Sequence, residues 1–385
     1  MSKTIAILGA GFAGLPLAHY ILKHYADKFD LKLVLVSRSE ELYWNIAAPR
    51  AAIPGQFSDE EVFHAIPPAF AKYPANRFEF VHGSVVAWQP DSNTIGVVLH
   101  QGAERQINYH TLVIATGSDY SADMPWKLIG TSQETHAALD KLRSDVRKAD
   151  SIVVGGGGPT GVEFAGELGH EYAKTGKKKV TLIISEPLPL GPRVQEATRM
   201  SAQKELEKLN VNIITDTRVT KITDSNAGGK VLELSRGDGT LETLHADLFT
   251  PTWGVKFNTS FAPASLRETD GRLKATQTLR SPGYDNVFLV GDCANKDSYA
   301  ALVREKQVRY IASALGQYFK GVKLDDFVPE SKVGMTVAIG PSRGVGDLFG
   351  FNVWSFFVWY FKGRHMCTNI AAEYVAGGKL ILGSF

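Results

Sequence analysis

Ile152-Val153-Val154-Gly155-Gly156-Gly157-Gly158-Pro159-Thr160-Gly161-Val162-Glu163 is an apolar run that turns through glycines into the start of a helix. With Gly156, Gly158 and Gly161 in the three places of a G-x-G-x-x-G pattern, each glycine has a task. Gly156 permits the tight turn, Gly158 lets the backbone approach a pyrophosphate, and Gly161 lets the helix pack close to the strand. Pro159 and Thr160, between the last two glycines, are candidate contacts to the same ligand. The chain opens with a second example, Ile5-Ala6-Ile7-Leu8-Gly9-Ala10-Gly11-Phe12-Ala13-Gly14. Two dinucleotide fingerprints imply two dinucleotides, and the economical reason to hold both is to pass electrons between them.

The context of each loop agrees. Around the first, Thr4 to Leu8 reads as a strand, Leu15 to Tyr25 as a helix that tolerates Pro16 in its first turn, and Leu31 to Val36 as the second parallel strand. An acidic residue normally ends that strand and binds an adenosine ribose, whereas this chain has Ser37 followed by Arg38. Glu40 and the Ser37 hydroxyl are the two candidate substitutes, and the sequence does not choose between them. Tyr43-Trp44-Asn45-Ile46-Ala47-Ala48-Pro49-Arg50 ends on an arginine suited to a phosphate or a flavin edge. Short strands follow at Glu79 to Trp88, Thr94 to Leu99 and Thr111 to Ala115, with Pro90-Asp91-Ser92-Asn93 as a turn, and the run closes on Ala115-Thr116-Gly117.

After a polar helix from Ser132 to Ala149 the order begins again: strand, glycine loop and helix, a strand from Val180 to Ile184, a helix from Gln195 to Leu209, a strand from Val211 to Thr215, and short strands from Val219 to Thr250 that end in Thr252-Trp253-Gly254. This long-period repeat argues for paired nucleotide domains better than either loop alone. The run Val287-Phe288-Leu289-Val290-Gly291-Asp292 then places a carboxylate beside a helix start at Ala301 to Phe319, where a ribityl chain can be hydrogen-bonded. From about Phe327 the composition changes. Gly344-Val345-Gly346-Asp347 leads into Phe349, Phe351, Trp354, Phe356, Phe357, Trp359, Tyr360 and Phe361, closing on Lys362-Gly363-Arg364. These aromatics are expected either to pack on the flavin domain or at a homodimer interface, or to form a quinone entry or a face that touches a membrane.

Bulk properties exclude several classes. Across 385 residues, 42 basic and 40 acidic side chains leave a net charge of +2, and nothing in that balance argues for a nucleic-acid or anionic-membrane partner. Cys293 and Cys367 are the only cysteines, which excludes both a disulfide scaffold and a local C-x-x-C redox pair. No spacing suggests a metal. The first residues enter a strand at once, Ser2 cannot accept a myristoyl chain, and no apolar run reaches the roughly 18–20 residues of a membrane span. The expectation is a cytoplasmic enzyme, with peripheral contact to an organelle membrane through the aromatic run as the open alternative.

These markers, together with Leu112-Val113-Ile114-Ala115-Thr116-Gly117-Ser118 and Gly291-Asp292-Cys293-Ala294, resemble the two-dinucleotide-binding-domain flavoproteins, and among them the apoptosis-inducing-factor-like branch that includes the ferroptosis suppressor proteins. The resemblance implies an α/β fold of two Rossmann-like domains with a small C-terminal α+β segment. It divides the chain into a first FAD part (1–121), an NAD(P)H domain (122–250), a second FAD part (251–326) and a C-terminal domain (327–385). FAD is implied at a site formed by Gly9, Ala10, Gly11, Phe12, Ala13, Gly14, Ser37, Arg38, Arg50, the Val85 backbone, Ala115, Thr116, Gly117, Gly291 and the ribityl-holding Asp292. NADH or NADPH is implied at Gly156, Gly158, Pro159, Thr160, Gly161, Glu186 and Gly254. The departures from the family pattern are Ser37 and the missing N-terminal glycine.

The chemistry that follows needs the nicotinamide C4 held about 3–3.5 Å from flavin N5, with a second acceptor, a quinone by family resemblance, taking the electrons afterwards. Glu163 is read as orienting the nicotinamide in the reductive half, with a helix-dipole role as its bland alternative. Glu186 is read as the acceptor of a ribose 2′-OH, which favours NADH. Lys362 is read as polarising a quinone carbonyl or stabilising reduced flavin in the oxidative half. A redox-switched signalling protein and a flavoenzyme of specialised metabolism stay open beside this, since the fold does not decide among them.

Overall fold

The computed structural model describes residues 2–120, 123–226, 228–296, 301–330, 334–348, 350–383 and 385, with only the backbone of 301–304. Its largest sheet has eight strands. Lys3–Leu8 lies at the centre, paired in parallel with Leu31–Ser37 on one side and Thr111–Ile114 on the other, so that Ile7 is level with both Leu35 and Val113. Past their first residues these strands are mostly apolar and buried because both faces are covered, as parallel sheets require. The far neighbour of Thr111–Ile114 is Tyr284–Leu289, a strand that arrives about 170 residues later in the chain. A chain stretch from one end of the sequence and another from near the other thus complete one sheet.

Phe78–Gln89 extends the other edge and continues into an antiparallel meander with Thr94–Leu99 and Glu104–Asn108. The last of these strands was not anticipated. Only Ile107 of its five residues is buried, so there is no alternation to read.

The second unit repeats the first. Ser151–Gly155 pairs in parallel with Lys179–Ile183 and Leu248–Pro251, and Asn212–Ile214 completes the sheet. An antiparallel trio, Thr217–Asp224, Lys230–Arg236 and Leu241–Ala246, stands where the first unit has its meander. The helix leading in, Ser132–Lys148, is started by a capping box in which Thr131 and Glu134 bond each other's backbone, and it buries Leu139, Leu142 and Val146. A short antiparallel ladder, Ser118–Tyr120 on Val255–Phe257, joins the exits of the two third strands. Trp126 reinforces it by donating to the Pro251 carbonyl at 2.8 Å and packing on Phe164.

The C-terminal segment folds as the strands Gly334–Ile339, Arg343–Leu348 and Phe351–Val353, a helical turn Ser355–Val358 and a π-helical turn Trp359–Gly363. Packing of the aromatic run on the flavin domain is not what the structure shows. Phe351, Trp354, Phe356, Phe357, Tyr360 and Phe361 are all exposed, Trp354 to 77%, and Trp359 is half-buried; Phe349 lies outside the described residues. No described helix is long and apolar enough to cross a membrane.

Candidate functional site

The two glycine loops have the same construction. Gly9 (φ +101°) and Gly156 (φ +112°) occupy conformations that side chains rarely adopt, and each donates its N–H to the end of the neighbouring strand, at Val36 and Ile183, at 2.8 Å. A Cβ on Gly14 would lie 1.8 Å from the Gly9 carbonyl oxygen, and one on Gly161 would lie 1.9 Å from that of Gly156. Those glycines therefore set how close each helix sits to its strand. Gly11 and Gly158, by contrast, have open space where a Cβ would be. A flat backbone surface at a helix start, clear on its outer side, fits a pyrophosphate at both loops.

Beside the first loop is a cavity of about 290 Å³. Gly9, Ala10, Gly11, Phe12 and Ala13 form one wall, with Gly14 packed behind them. Ser37, Arg38 and Val85 line it at one end, and Ala115, Thr116, Gly117, Gly291 and Asp292 at the other. Two of its features were invisible in the sequence. Lys127 lies in the lining, its ammonium 2.7 Å from Asp292 Oδ2 and bonded also to Ser118 Oγ. No motif announces this lysine, which comes from the loop after the linking ladder. Glu41 is the other. It stands four residues past the strand end, its carboxylate 3.1 Å from His136 Nε2.

Neither of the candidate ribose acceptors stands free at the strand end. The Ser37 hydroxyl donates to the Ser39 carbonyl at 2.7 Å and accepts the Ser39 amide at 3.2 Å, a local turn that uses it up. Glu40 is outside the lining, 3.6 Å from His82 Nδ1. Arg38 reaches across to Asp119 at 2.6 Å, and Asn258 bonds the same carboxylate oxygen.

Arg50 is placed differently from the expectation. Its guanidinium is 4% exposed and donates through Nε and Nη2 to Glu167 Oε1, at 3.0 and 2.7 Å, while Nη1 reaches the Arg364 carbonyl. It is absent from the cavity wall. A buried carboxylate claims it because an unpaired one is costly there; burial pushes the Glu167 carboxyl above its usual range, against the pull of Arg50.

At the second loop, the helix Pro159–Glu171 begins directly after Gly158. Thr160 Oγ1 is 3.3 Å from the Tyr120 hydroxyl on the linking ladder, so this loop touches the first unit. Burial raises the Tyr120 phenol, opposed by the Thr160 bond and supported by the Asp292 and Glu163 carboxylates. Gly254 (φ +84°) turns the chain out of the third strand, as Gly117 (φ +66°) does in the first unit. Trp253 lays its indole where a Cβ on Gly155 would be. Glu186 stands half-exposed beyond the Lys179–Ile183 strand, its carboxylate without a protein partner among the described residues.

Glu163 and Lys362, read from the sequence as serving separate half-reactions, are brought together. Lys362 Nζ is 2.5 Å from Glu163 Oε1 and 3.0 Å from the Thr336 carbonyl; the same Glu163 oxygen accepts the Ala338 amide at 3.1 Å. The carboxylate is buried and the lysine side chain 17% exposed. Glu163 therefore faces the C-terminal segment and not the amides of its own helix start, which removes the helix-dipole reading. Cys293 and Cys367 are both free thiols.

Residues 3–316 match the family model described as pyridine nucleotide-disulphide oxidoreductase. An oxidoreductase of Pestalotiopsis fici, ptaL, is 35% identical over 92% of this chain and 94% of its own length. Ferroptosis suppressor protein 1 of Xenopus laevis is 27% identical over 96% and 94% of the two chains. Among solved structures, the sulfide:quinone oxidoreductase of Aquifex aeolicus superposes with a TM-score of 0.79 at 19% identity, covering 98% of this chain and 92% of that one. With two loops built alike, each open toward a pyrophosphate, and a family model spanning both, the chain belongs to the pyridine nucleotide-disulphide oxidoreductases, enzymes that work with FAD and NADH or NADPH.

Proposed function

We propose that the protein takes hydride from NADH at the second loop and delivers electrons through FAD at the first to a quinone or similar small acceptor. FAD, when bound, supplies the two-electron relay between a hydride donor and an acceptor. The first loop would hold its pyrophosphate on the Gly9–Gly14 backbone, with Asp292 and Lys127 at the ribityl chain. Lacking a redox cysteine pair, the chain has no disulfide to carry electrons onward, so the acceptor must meet the flavin directly.

The observation that carries this reading is the Glu163–Lys362 pair. Glu163 belongs to the helix that starts at the second glycine loop, and Lys362 to the segment that bears the exposed aromatics. With two of its N–H groups given to Glu163 and Thr336, the ammonium has a third for an acceptor oxygen. A carbonyl accepting that bond would be polarised toward reduction, and the same N–H could hand over a proton. Glu186, half-exposed beyond the Lys179–Ile183 strand, is assigned to the adenosine ribose, a reading that favours NADH over NADPH.

The aromatic face fits an apolar acceptor that arrives from a lipid surface. The exposed rings of Trp354, Tyr360 and Phe361, with the Arg364 guanidinium over Tyr360, have the character of a headgroup boundary, and we propose peripheral membrane contact there in preference to a homodimer. The working division remains FAD parts at 1–121 and 251–326, an NAD(P)H domain at 122–250 and a C-terminal domain at 327–385. The reading is tested by anaerobic stopped-flow reduction with NADH and with NADPH, then mixing with a short-chain ubiquinone. It fails if neither nucleotide bleaches the flavin, or if the reduced enzyme is not reoxidised by the quinone.

A further inference from the structure

The ammonium of Lys362 is tied to Glu163, but the turn that carries it is secured from elsewhere. Met366 and Cys367 follow it with φ of +48° and +59°, two consecutive left-handed residues that are not glycine. Such a turn persists only where its surroundings hold it. Met366 donates its amide to the Lys362 carbonyl at 2.6 Å, closing the turn onto the lysine itself. The Met366 carbonyl in turn accepts the indole N–H of Trp44 at 3.1 Å. Trp44 is wholly buried in the first unit, 322 residues away in sequence.

The same indole has a second neighbour of consequence. Phe12, in the wall of the FAD cavity, packs on it with ring centroids 5.1 Å apart. Tyr374 packs on both rings and donates its hydroxyl to the Phe12 carbonyl at 2.6 Å. One tryptophan thus touches the loop that seats FAD and the turn that aims Lys362. The sequence offered Trp44 only as part of an aromatic-rich stretch.

We infer that Trp44 is a positioning residue: its indole N–H fixes the 362–367 turn so that Lys362 stays on Glu163, and its packing on Phe12 makes that placement depend on an occupied FAD cavity. This rests on the role given to Lys362 above. Trp44→Phe keeps an aromatic ring and removes the donor.

Two readouts test it. In anaerobic half-reactions, W44F should slow whichever step K362M slows, by about five- to tenfold, the size of one lost hydrogen bond to a buried carbonyl. The W44F/K362M double variant should be no slower than K362M alone. Independently of activity, Cys367, half-buried within the turn, should react with Ellman's reagent about tenfold faster in W44F, with C367S abolishing the signal. Additive rate losses, or unchanged thiol labelling, overturn the inference. If K362M slows neither step, the reading of Lys362 falls, and labelling alone then decides whether Trp44 holds the turn. Should W44F fail to accumulate, hydrogen exchange at 362–368 in the wild-type protein with and without FAD takes its place. Faster exchange after FAD removal supports the tether, and equal exchange refutes it.

Discussion

Lys362 Nζ lies 2.5 Å from Glu163 Oε1, although 199 residues separate them in the chain. Each was given its own half-reaction on sequence grounds, yet a change in either one takes away the other's partner. Glu163→Gln and Lys362→Met are therefore expected to impair the same steps, by about 10- to 100-fold, and the double variant to lose less than the two combined. Stopped-flow rates for the four enzymes settle this. A clean split, with E163Q slow only in reduction and K362M slow only in reoxidation, would contradict a shared role.

Glu186 governs coenzyme choice if its free carboxylate meets the adenosine ribose. Replacing it with serine should shift the NADPH-to-NADH ratio of flavin reduction rates by about tenfold toward NADPH, by removing both an acceptor for the 2′-OH and a repulsion against a 2′-phosphate. An unchanged ratio would remove Glu186 from the nucleotide site.

The Arg50–Glu167 pair is buried, with Nε and Nη2 both donating to Glu167 Oε1, and Arg364 shares the guanidinium through its carbonyl. Arg50→Ala should cost about 3–5 kcal/mol of stability by stranding a buried carboxyl, and R50A/E167A should recover part of that loss. Urea unfolding of the holoenzyme measures both. If R50A unfolds at the wild-type midpoint but loses FAD, the arginine serves the cofactor after all.

His19 predicts a pH dependence. It is buried, stacked on Phe70 and bonded to Tyr73 and to the Val375 carbonyl. Burial lowers its pKa from 6.5 to about 4, with Val375 opposing and Lys72 assisting. Between those values the unfolded chain binds the extra proton, so stability is full above pH 6.5 and declines as pH falls toward 4, by about 3 kcal/mol at most. His19→Gln should flatten that part of the urea-midpoint profile, leaving a residual slope from His64, His110 and His170, which shift the same way. A variant profile as steep as the wild type would show that His19 titrates normally.

The aromatic face should bind membranes. Co-sedimentation with vesicles containing anionic lipid is expected for the wild-type protein and should weaken about tenfold in Trp354→Ser/Phe361→Ser, each ring burying most of its area in the headgroup region. If the variant instead changes sedimentation of the protein alone, the face is a contact between two copies.

What the sequence made legible follows from how local each cause is. The glycine loops could be read because strand, turn and helix start are contiguous and each glycine answers a local steric demand. The second-unit copy matched the first down to the pairing of Gly156 with Gly161. Lys127 was not readable, because its partner Asp292 is 165 residues away and its own loop carries no pattern. The aromatic run was misread in one respect: ring-rich stretches usually signal core, and here the rings face outward. Arg50 was given to the cofactor because its stretch has phosphate-binding character, while the buried carboxylate that takes it lies on a helix of the other unit. Long-range charge pairing, together with one strand that carries no alternation, is where reading the chain from its letters ran out.

The strand Tyr284–Leu289 closes the eight-stranded sheet against Thr111–Ile114. During synthesis, the region from Ser151 to Pro251 has all four strands of its own parallel sheet as soon as it leaves the ribosome and can fold at once. The amino-terminal unit, made earlier, must wait with an apolar strand edge uncovered until most of the nascent chain has emerged. A premature stop anywhere before residue 284 should therefore release a product with a sound middle and a sticky front, and chaperone demand should concentrate on the part translated first.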